Sequence, residues 1–298
     1  MVDRSMAGVY PILSMPFDKE GRVDEEDLRH EVEWAIGFGI QGLGIAMATE
    51  IYKLTEKERD MVLNTVVDQT AGRAKIVMNT GAEGTDLSVI YSRRAEELGA
   101  DALMIRPPTY IPSGTEEDLL YFRTIAESVS IPIFLQDQST AVVTPATAVR
   151  LARDHENLCY IKVETPPTAP RVAEAARLRG DSGLILFGGA GGNYVFEEVR
   201  RGTVGTMPGC TMPDVFVKVW KMWHEGDQDG AQREIHRHAA FMRTLNQGLG
   251  LPTWIYKEVL VRRGVFKAAY ARRPAKPPDQ TQLKEINTLM EELNLTGS

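Results

Sequence analysis

Cys159-Tyr160-Ile161-Lys162-Val163-Glu164-Thr165 is an apolar run with one lysine at its centre, and its length and alternation are typical of a β-strand. Alternate residues of a strand share a face, so Lys162 lies on the same face as Tyr160 and Glu164. Burial in so apolar a strand disfavours the ammonium form and makes the free amine available to attack a ketone and form a Schiff base. The alternative is a lysine at a strand end whose ammonium reaches water.

Apolar runs of the same kind recur along the chain, and each is followed by an amphipathic helical pattern. The predicted strands span residues 8–13, 42–48, 75–81, 102–105, 131–136, 159–165, 184–187 and 203–207. Eight such units, spaced by roughly 25 to 30 residues, predict a (β/α)8 TIM barrel, an α/β fold. A doubly wound open sheet is the alternative, but no Gly-x-Gly-x-x-Gly turn follows the first strand.

After about residue 212 the pattern is helical only, with predicted helices at 214–225, 230–247, 253–263 and 281–293. The first of these helices completes the barrel. We therefore expect a barrel over residues 1–225 and a C-terminal helical extension over 226–298 that packs on it.

Composition limits the partners and the compartment. The net charge of −7 argues against nucleic acid or an acidic membrane surface as a partner. The two cysteines, Cys159 and Cys210, form no disulfide framework, and this favours a reducing compartment, the cytoplasm. No run of 18 or more apolar residues predicts a membrane span, and no apolar segment behind the N-terminus resembles a signal peptide.

The active site of such a barrel lies at the carboxyl ends of its strands. Lys162 is the only cation among the residues predicted at those ends, and this favours the Schiff-base interpretation. Glu164, on the same face, is a candidate general base or a carboxylate that positions its neighbours. The predicted substrate contacts are the turn Met47-Ala48-Thr49, whose N–H groups could hold a carboxylate, together with Gly188, Gly189 and Val204.

Other kinds of site are less favoured by the sequence. The glycine-rich run 188–192 could hold a phosphate, but it lacks the flanking lysine and hydroxyl residue of a P-loop, so a tight loop beside the substrate is the preferred interpretation. The five histidines fall on predicted helices or helix ends. We therefore predict no metal and no cofactor.

The order of motifs resembles the dihydrodipicolinate synthase / N-acetylneuraminate lyase family of class I lyases over essentially the whole chain. The matching segments are Ala46-Met47-Ala48-Thr49-Glu50, Pro107-Pro108-Thr109-Tyr110, Gln136 after Pro132, and Tyr160-Ile161-Lys162. The resemblance implies that Lys162 forms a Schiff base with pyruvate or another 2-keto acid. It also implies that Tyr110 is the tyrosine that reaches a neighbouring subunit, in a homo-oligomer built as a dimer of dimers.

Four positions depart from the synthases of this family. Met47 and Ala48 replace a pair of threonines, Gln136 replaces the tyrosine that relays a proton, and Ala141 replaces an arginine that binds the second substrate. An amide does not titrate near neutral pH, so Gln136 can orient groups but cannot act as an acid or base.

A dehydratase branch of the family is more similar. The segments 131–137, 160–166 and 55–60 resemble the 2-keto-3-deoxy-L-arabonate dehydratases. Three interpretations therefore remain open: a Schiff-base dehydratase or aldolase acting on a 2-keto-3-deoxy sugar acid, which we favour; a synthase joining pyruvate to an aldehyde; and a non-catalytic barrel that binds a keto acid.

Overall fold

The computed structural model describes residues 2–110, 114–246 and 251–296, in which parallel strands alternate with helices. The strands are β1 (Gly8–Val9), β2 (Gly42–Ile45), β3 (Lys75–Asn79), β4 (Ala102–Ile105), β5 (Ile133–Asp137), β6 (Tyr160–Val163), β7 (Ile185–Gly188) and β8 (Thr203–Thr206). The helices are α1 (Glu25–Gly37), α2 (Glu56–Thr70), α3 (Thr85–Glu97), α4 (Thr115–Ala126), α5 (Pro145–Asp154), α6 (Thr168–Leu178), α7 (Val195–Val199), α8 (Pro213–His224), α9 (Gln228–Arg237), α10 (Ala239–Leu245), α11 (Leu251–Arg262) and α12 (Gln280–Glu292). Within these described ranges, no helix is both long enough and apolar enough to span a membrane.

The sheet closes on itself. Its strands follow the order β1-β8-β7-β6-β5-β4-β3-β2, so the first strand lies beside the last. Ile12, just after β1, forms parallel bridges to Gly44 of β2 and to Gly209, just after β8. The predicted (β/α)8 barrel with C-terminal helices is therefore confirmed, and the open sheet is excluded.

The first strand is shorter than the sequence predicts. We expected residues 8–13, whereas β1 ends at Val9. Pro11 has no N–H to donate to a ladder, which accounts for the interruption. Beyond it, Ile12 pairs only through its isolated bridges.

The chain divides into two compact units. One consists of Met1–Tyr10 and Lys75–Pro208, and the other of Pro11–Ala74 and Gly209–Ser298. The first unit contains β1 and β3 to β8, and the second contains β2 and the C-terminal helices. The proposed boundary after residue 225 stays a prediction.

Aromatic side chains fill the barrel interior of the first unit. The rings of Phe134 and Tyr160 are stacked with centroids 4.4 Å apart, and Phe187 meets Phe134 edge-on at 5.1 Å. Such contacts add to the energy of burial alone. Lys162 lies two residues beyond Tyr160 on the same face of β6, so the lysine is placed directly above this aromatic layer.

Several helix boundaries follow from capping signals. Thr55 and Glu58 form a capping box at the start of α2, and Thr144 caps α5, which has Pro145 in its first turn. The helix predicted at 230–247 is instead two helices, α9 and α10. They meet at His238, whose Nδ1 lies 2.9 Å from the Glu234 carbonyl oxygen. Gln247, its predicted end, lies outside the described residues.

Candidate active site

Lys162 is the third residue of β6, and its side chain is almost fully buried, with 3% of its surface exposed. The strand register places it level with Gln136 on β5 and Phe187 on β7. Its Nζ lies 3.0 Å from Oε1 of Glu164. The lysine therefore does not extend into water, and its polar contact is a carboxylate from its own strand end.

Glu164 joins three side chains through its two carboxylate oxygens. Oε1 faces Lys162, while Oε2 accepts hydrogen bonds from Nε2 of Gln136 at 3.0 Å and from Nε2 of Gln138 at 3.4 Å. Gln136 Oε1 in turn accepts from Nδ2 of Asn79 at 3.2 Å. A chain of polar contacts thus runs from β3 through β5 to the lysine, and it fixes the orientation of the Gln136 amide because each end has a defined partner.

Gly189 touches the predicted catalytic pair directly. A Cβ at this position would overlap Cγ of Glu164 and would lie 3.0 Å from Cε of Lys162. Any larger residue would displace one of the two side chains. The glycine-rich loop after β7 therefore allows a close approach of backbone to the lysine at Gly189. The predicted contact of Gly188 and Gly189 with substrate stays a prediction.

The ion pair between Asp137 and Arg171 links the ends of β5 and β6 next to Glu164. The Asp137 carboxylate accepts two hydrogen bonds from Arg171, at 3.0 and 2.9 Å, and one from the Thr165 hydroxyl at 2.8 Å. The Glu164 N–H donates to the Asp137 carbonyl oxygen at 2.9 Å. Burial raises the pKa of Asp137, although Thr165 and Arg171 act in the opposite direction. The ends of β5 and β6 are thereby held together where Gln136 and Glu164 meet.

Tyr110 is not among the side chains around Lys162 within one chain. Its ring is 86% exposed. The backbone at Tyr110 is bound by Glu83, whose carboxylate accepts hydrogen bonds from the N–H groups of Thr109 at 2.7 Å and Tyr110 at 2.9 Å. Burial acts to raise the pKa of Glu83, but these hydrogen bonds and Arg106 lower it overall. The predicted contact of Tyr110 with a neighbouring subunit stays a prediction.

The turn Met47–Thr49 belongs to the second unit, where it forms a short 3-10 helix. The Thr49 N–H donates to the Ala46 carbonyl oxygen, and its hydroxyl accepts from Ala46 N and donates to the Leu13 carbonyl oxygen. Both groups of Thr49 are therefore already engaged. The predicted carboxylate contact stays a prediction, and it rests mainly on Met47 and Ala48.

Glu50, immediately after this turn, has a left-handed backbone with φ of 53° and a fully buried carboxylate. Lys53 Nζ lies 2.6 Å from Oε2, and Lys257 of α11 binds Oε1. Burial lowers the pKa of Lys257 to about 8, although Glu50 opposes the shift. This pairing could not be predicted from the sequence, because Lys257 lies in an ordinary helical pattern far along the chain.

Val204 lies below the level of the lysine. A register shift between Leu186 and Phe187 pairs Phe187 with Gly205, so Gly205 rather than Val204 is level with Lys162. The Val204 side chain is 37% exposed. Its predicted contact with substrate stays a prediction, and the sequence could not reveal the shift because a β-bulge leaves no pattern in an apolar run.

Asn79 and Glu198 are functional candidates that the sequence-based list omits. Asn79 is the last residue of β3, and its bond to Gln136 depends on side-chain geometry that the sequence does not show. Glu198 lies on α7 and is fully buried behind Gly188. No local pattern separates Glu198 from Glu197 beside it, because both are acidic residues in one short helix.

Comparisons with known proteins assign this chain to a family. A model described as the dihydrodipicolinate synthetase family matches residues 5–293. The L-2-keto-3-deoxyarabonate dehydratase of Azospirillum brasilense is 28% identical over 276 residues, covering 90% of this chain and 88% of the relative. The 4-hydroxy-tetrahydrodipicolinate synthase of Methanococcus vannielii is 34% identical over 241 residues, covering 78% and 80%.

Solved structures have the same fold. The dihydrodipicolinate synthase of Rhodopseudomonas palustris superposes with a TM-score of 0.90 at 25% identity, covering 97% of this chain and 98% of that one. A prophage protein of the dihydrodipicolinic acid synthase family from E. coli K12, solved in complex with pyruvate, gives a TM-score of 0.91 at 22% identity, covering 98% and 99%. The second likeness shows the fold alone.

Proposed function

Because the chain belongs to the dihydrodipicolinate synthetase family, whose members are class I lyases, we propose that Lys162 forms a Schiff base with a 2-keto acid. The substrate we propose is a 2-keto-3-deoxy sugar acid, such as 2-keto-3-deoxy-L-arabonate, which the enzyme dehydrates. The observation that carries this proposal is the buried contact between Lys162 and Glu164, with Gln136 bound to the same carboxylate. The similarity to a relative named as a dehydratase over 90% of the chain supports it.

The first chemical step uses the buried lysine as nucleophile. Glu164, 3.0 Å from Nζ, is placed to accept a proton as the amine attacks the C2 ketone. The carbinolamine then loses water and becomes an iminium. The positive charge of the iminium acidifies the C3 protons, so a carboxylate beside it becomes an adequate base.

The second step is elimination. Glu164 takes a C3 proton, the electron pair forms an enamine, and the C4 hydroxyl leaves with a proton as water. For a five-carbon substrate, the conjugated iminium then loses a proton from C5 and gains one at C3, and the resulting C4–C5 enol becomes an aldehyde. Hydrolysis of the iminium returns the free lysine and yields the semialdehyde of 2-oxoglutarate. Gln136 carries no proton through this sequence, because its amide only holds Glu164 in place through a 3.0 Å hydrogen bond.

A synthase acting on pyruvate and an aldehyde is the second candidate, and the relative at 34% identity favours it. Two observations weigh against it. Gln136 occupies the position of the relay tyrosine. Ala141, in place of the clamp arginine, is buried in a turn closed by hydrogen bonds to Gln138. A barrel that binds a keto acid without catalysis is the third candidate.

A product screen separates the candidates. The enzyme is incubated with 2-keto-3-deoxy pentonates and hexonates, and semialdehyde and pyruvate are measured separately. We expect semialdehyde without pyruvate. Pyruvate release indicates aldol cleavage, and condensation of pyruvate with an aldehyde indicates the synthase. Adduct formation without turnover of any of these substrates indicates the non-catalytic barrel.

We further propose that the enzyme is a cytoplasmic homo-oligomer, a dimer of dimers. The exposed ring of Tyr110 supports the assembly because Glu83 holds its backbone in a fixed position. The free, buried thiols of Cys159 and Cys210 are compatible with a reducing compartment.

Gln136→Tyr, which restores the family's usual tyrosine, tests whether the amide belongs to this enzyme's own chemistry. We expect turnover to fall by about tenfold or more, because one phenol cannot both donate to Glu164 and accept from Asn79 with the geometry of the amide. The measurement is kcat on the substrate found in the screen. Gln138→Ala is the matched control: it removes only the longer 3.4 Å bond to the same carboxylate, so its effect should be smaller. Higher kcat in Gln136→Tyr would contradict the proposed role.

A further inference from the structure

Glu198 is a fully buried acid without a counter-charge. Its side chain has no exposed surface, and within the described part of the chain neither carboxyl oxygen has a hydrogen-bond partner. The Thr168 hydroxyl, which also has no partner with hydrogen-bond geometry, acts to lower the pKa of Glu198. Buried polar groups are rarely left unpaired, because desolvation without a hydrogen bond is costly. A carboxyl group kept in such a place therefore calls for a functional explanation.

The position of Glu198 connects it to the candidate active site. A Cβ at Gly188 would overlap Oε2 of Glu198, so the carboxyl packs directly against the strand. The next residue, Gly189, faces the opposite way and contacts Lys162 and Glu164. The backbone of Gly188 and Gly189 therefore separates Glu198 from the Lys162–Glu164 pair. We call these two residues the two-glycine wall.

The charges that act on Glu198, those of Glu197 and Glu164, are both negative. Burial is the main reason that the pKa of Glu198 rises from 4.5 to about 8; Thr168 opposes this rise, and Glu197 and Glu164 make smaller contributions to it. The packed strands β7 and β8 contain no ionisable residue. On the neighbouring α6, Arg171 is bound to Asp137, while Glu174 and Arg177 are exposed. No residue in the described ranges supplies a cation that pairs with an ionised Glu198, so at neutral pH the uncharged acid is the stable form.

Building on the proposed function, we propose that Glu198 is a positioning residue of the Lys162 site and acts as an uncharged acid. It fills the space behind Gly188, holds the two-glycine wall against Lys162 and Glu164, and leaves Glu164 as the carboxylate that contacts the amine. Ionisation of Glu198 adds a second negative charge behind the wall. That charge stabilises the ammonium form of Lys162 and the protonated form of Glu164, and both are unreactive in the proposed steps.

The test compares the pH dependence of the wild-type enzyme, Glu198→Gln and Glu198→Met. The readouts are kcat/KM on the substrate from the screen and the rate of borohydride-trapped adduct with pyruvate as the probe. We expect the wild-type rate to fall about tenfold for each pH unit above about 8. Glu198→Gln keeps the shape of the uncharged acid, so at about pH 7 its rate should stay within about threefold of wild type and should not fall as pH rises.

Two further variants make the comparison specific. Glu198→Met has a similar volume and no charge, so it replaces Glu198→Gln if the amide is poorly accommodated, and its pH profile should also be flat. Glu174→Gln removes an exposed carboxylate from the adjacent helix and should keep the wild-type profile. An alkaline loss that persists in both Glu198 variants would overturn the proposal. A loss of more than about 100-fold at neutral pH in both would also overturn it, because it would indicate a proton-transferring role instead of a positioning role.

Stability gives an independent readout that needs no substrate. The pKa of Glu198 is about 8 in the folded chain and 4.5 in the unfolded reference, so between these values the folded state binds one more proton than the unfolded state. Stability is therefore highest below this window and falls as pH rises through it. Urea unfolding should show this fall in the wild type and a smaller fall in Glu198→Gln. Identical pH dependence of unfolding in the two proteins would contradict the uncharged form.

The two proposals fail in different ways. No adduct at Lys162 in the wild type at any pH removes the proposed function and, with it, the catalytic role of Glu198. An adduct at Lys162 together with an unchanged pH profile in the Glu198 variants removes only the inference about Glu198.

Discussion

Lys162→Ala should lower turnover by about 10⁴-fold or more, because the substituted enzyme has no amine to form the covalent intermediate. The side chain is buried on β6 with Glu164 as its charged partner, and no second lysine among the described residues is bound to that carboxylate. The fold should persist, since Gln136 and Gln138 still donate to Glu164 after the change. The loss should therefore appear in kcat and not in the content of secondary structure.

The matched control is Lys75→Ala. Lys75 is also on a barrel strand and also ion-paired, but it begins β3 and binds Asp101 at 2.9 Å. Its kcat should stay within about threefold of wild type, because exposed pairs contribute little. Circular dichroism establishes that both variants are folded. Normal turnover in Lys162→Ala would eliminate the proposed mechanism.

Lys257→Met should destabilise the protein by about 3 kcal/mol, because it removes one partner of a buried ion pair. The Lys257 ammonium is fully buried, binds Glu50 and donates to the Tyr270 carbonyl oxygen at 3.0 Å. It also lies 4.5 Å from the centre of the Phe17 ring. After the change, Glu50 retains only Lys53 as a charged partner, and the Tyr270 carbonyl loses its donor.

Equilibrium unfolding in urea measures this loss. Lys218→Met is the matched control: Lys218 pairs with Glu234 at 2.9 Å on the protein surface, so its removal should cost less than about 1 kcal/mol. If the two variants were equally stable, the buried network around Glu50 would contribute no more than a surface pair. The ion pair between Lys257 and Glu50 would then not fix the turn Met47–Thr49 that precedes Glu50.

The barrel could be predicted from the sequence because its signals are local. Each parallel strand is a continuous apolar run, and helix starts such as Thr55 with Glu58 have their own capping pattern. Lys162 stood out for the same reason, as a single charge in an apolar strand. The early end of β1 could have been anticipated from Pro11, because proline cannot donate to a ladder.

The partners of the site residues could not be predicted, because they depend on side chains that meet across the fold. Lys257 and Glu50 are separated by 207 positions, and no periodicity relates them. Glu164 was predicted to share a face with Lys162, but its bond to Gln136 follows from side-chain geometry across the pairing of β5 with β6. The burial of Glu198 without a hydrogen-bond partner could not be predicted either, because it depends on how the whole chain packs.

Borohydride reduction in the presence of pyruvate, followed by peptide mass spectrometry, tests the central claim most directly. We expect one reduced adduct, on the peptide that contains Lys162. The buried amine of Lys257, whose pKa is lowered by burial to about 8, is the internal comparison and should remain unmodified. An adduct on Lys257 or another lysine, or no adduct at all, would contradict the assignment of Lys162 as the Schiff-base nucleophile.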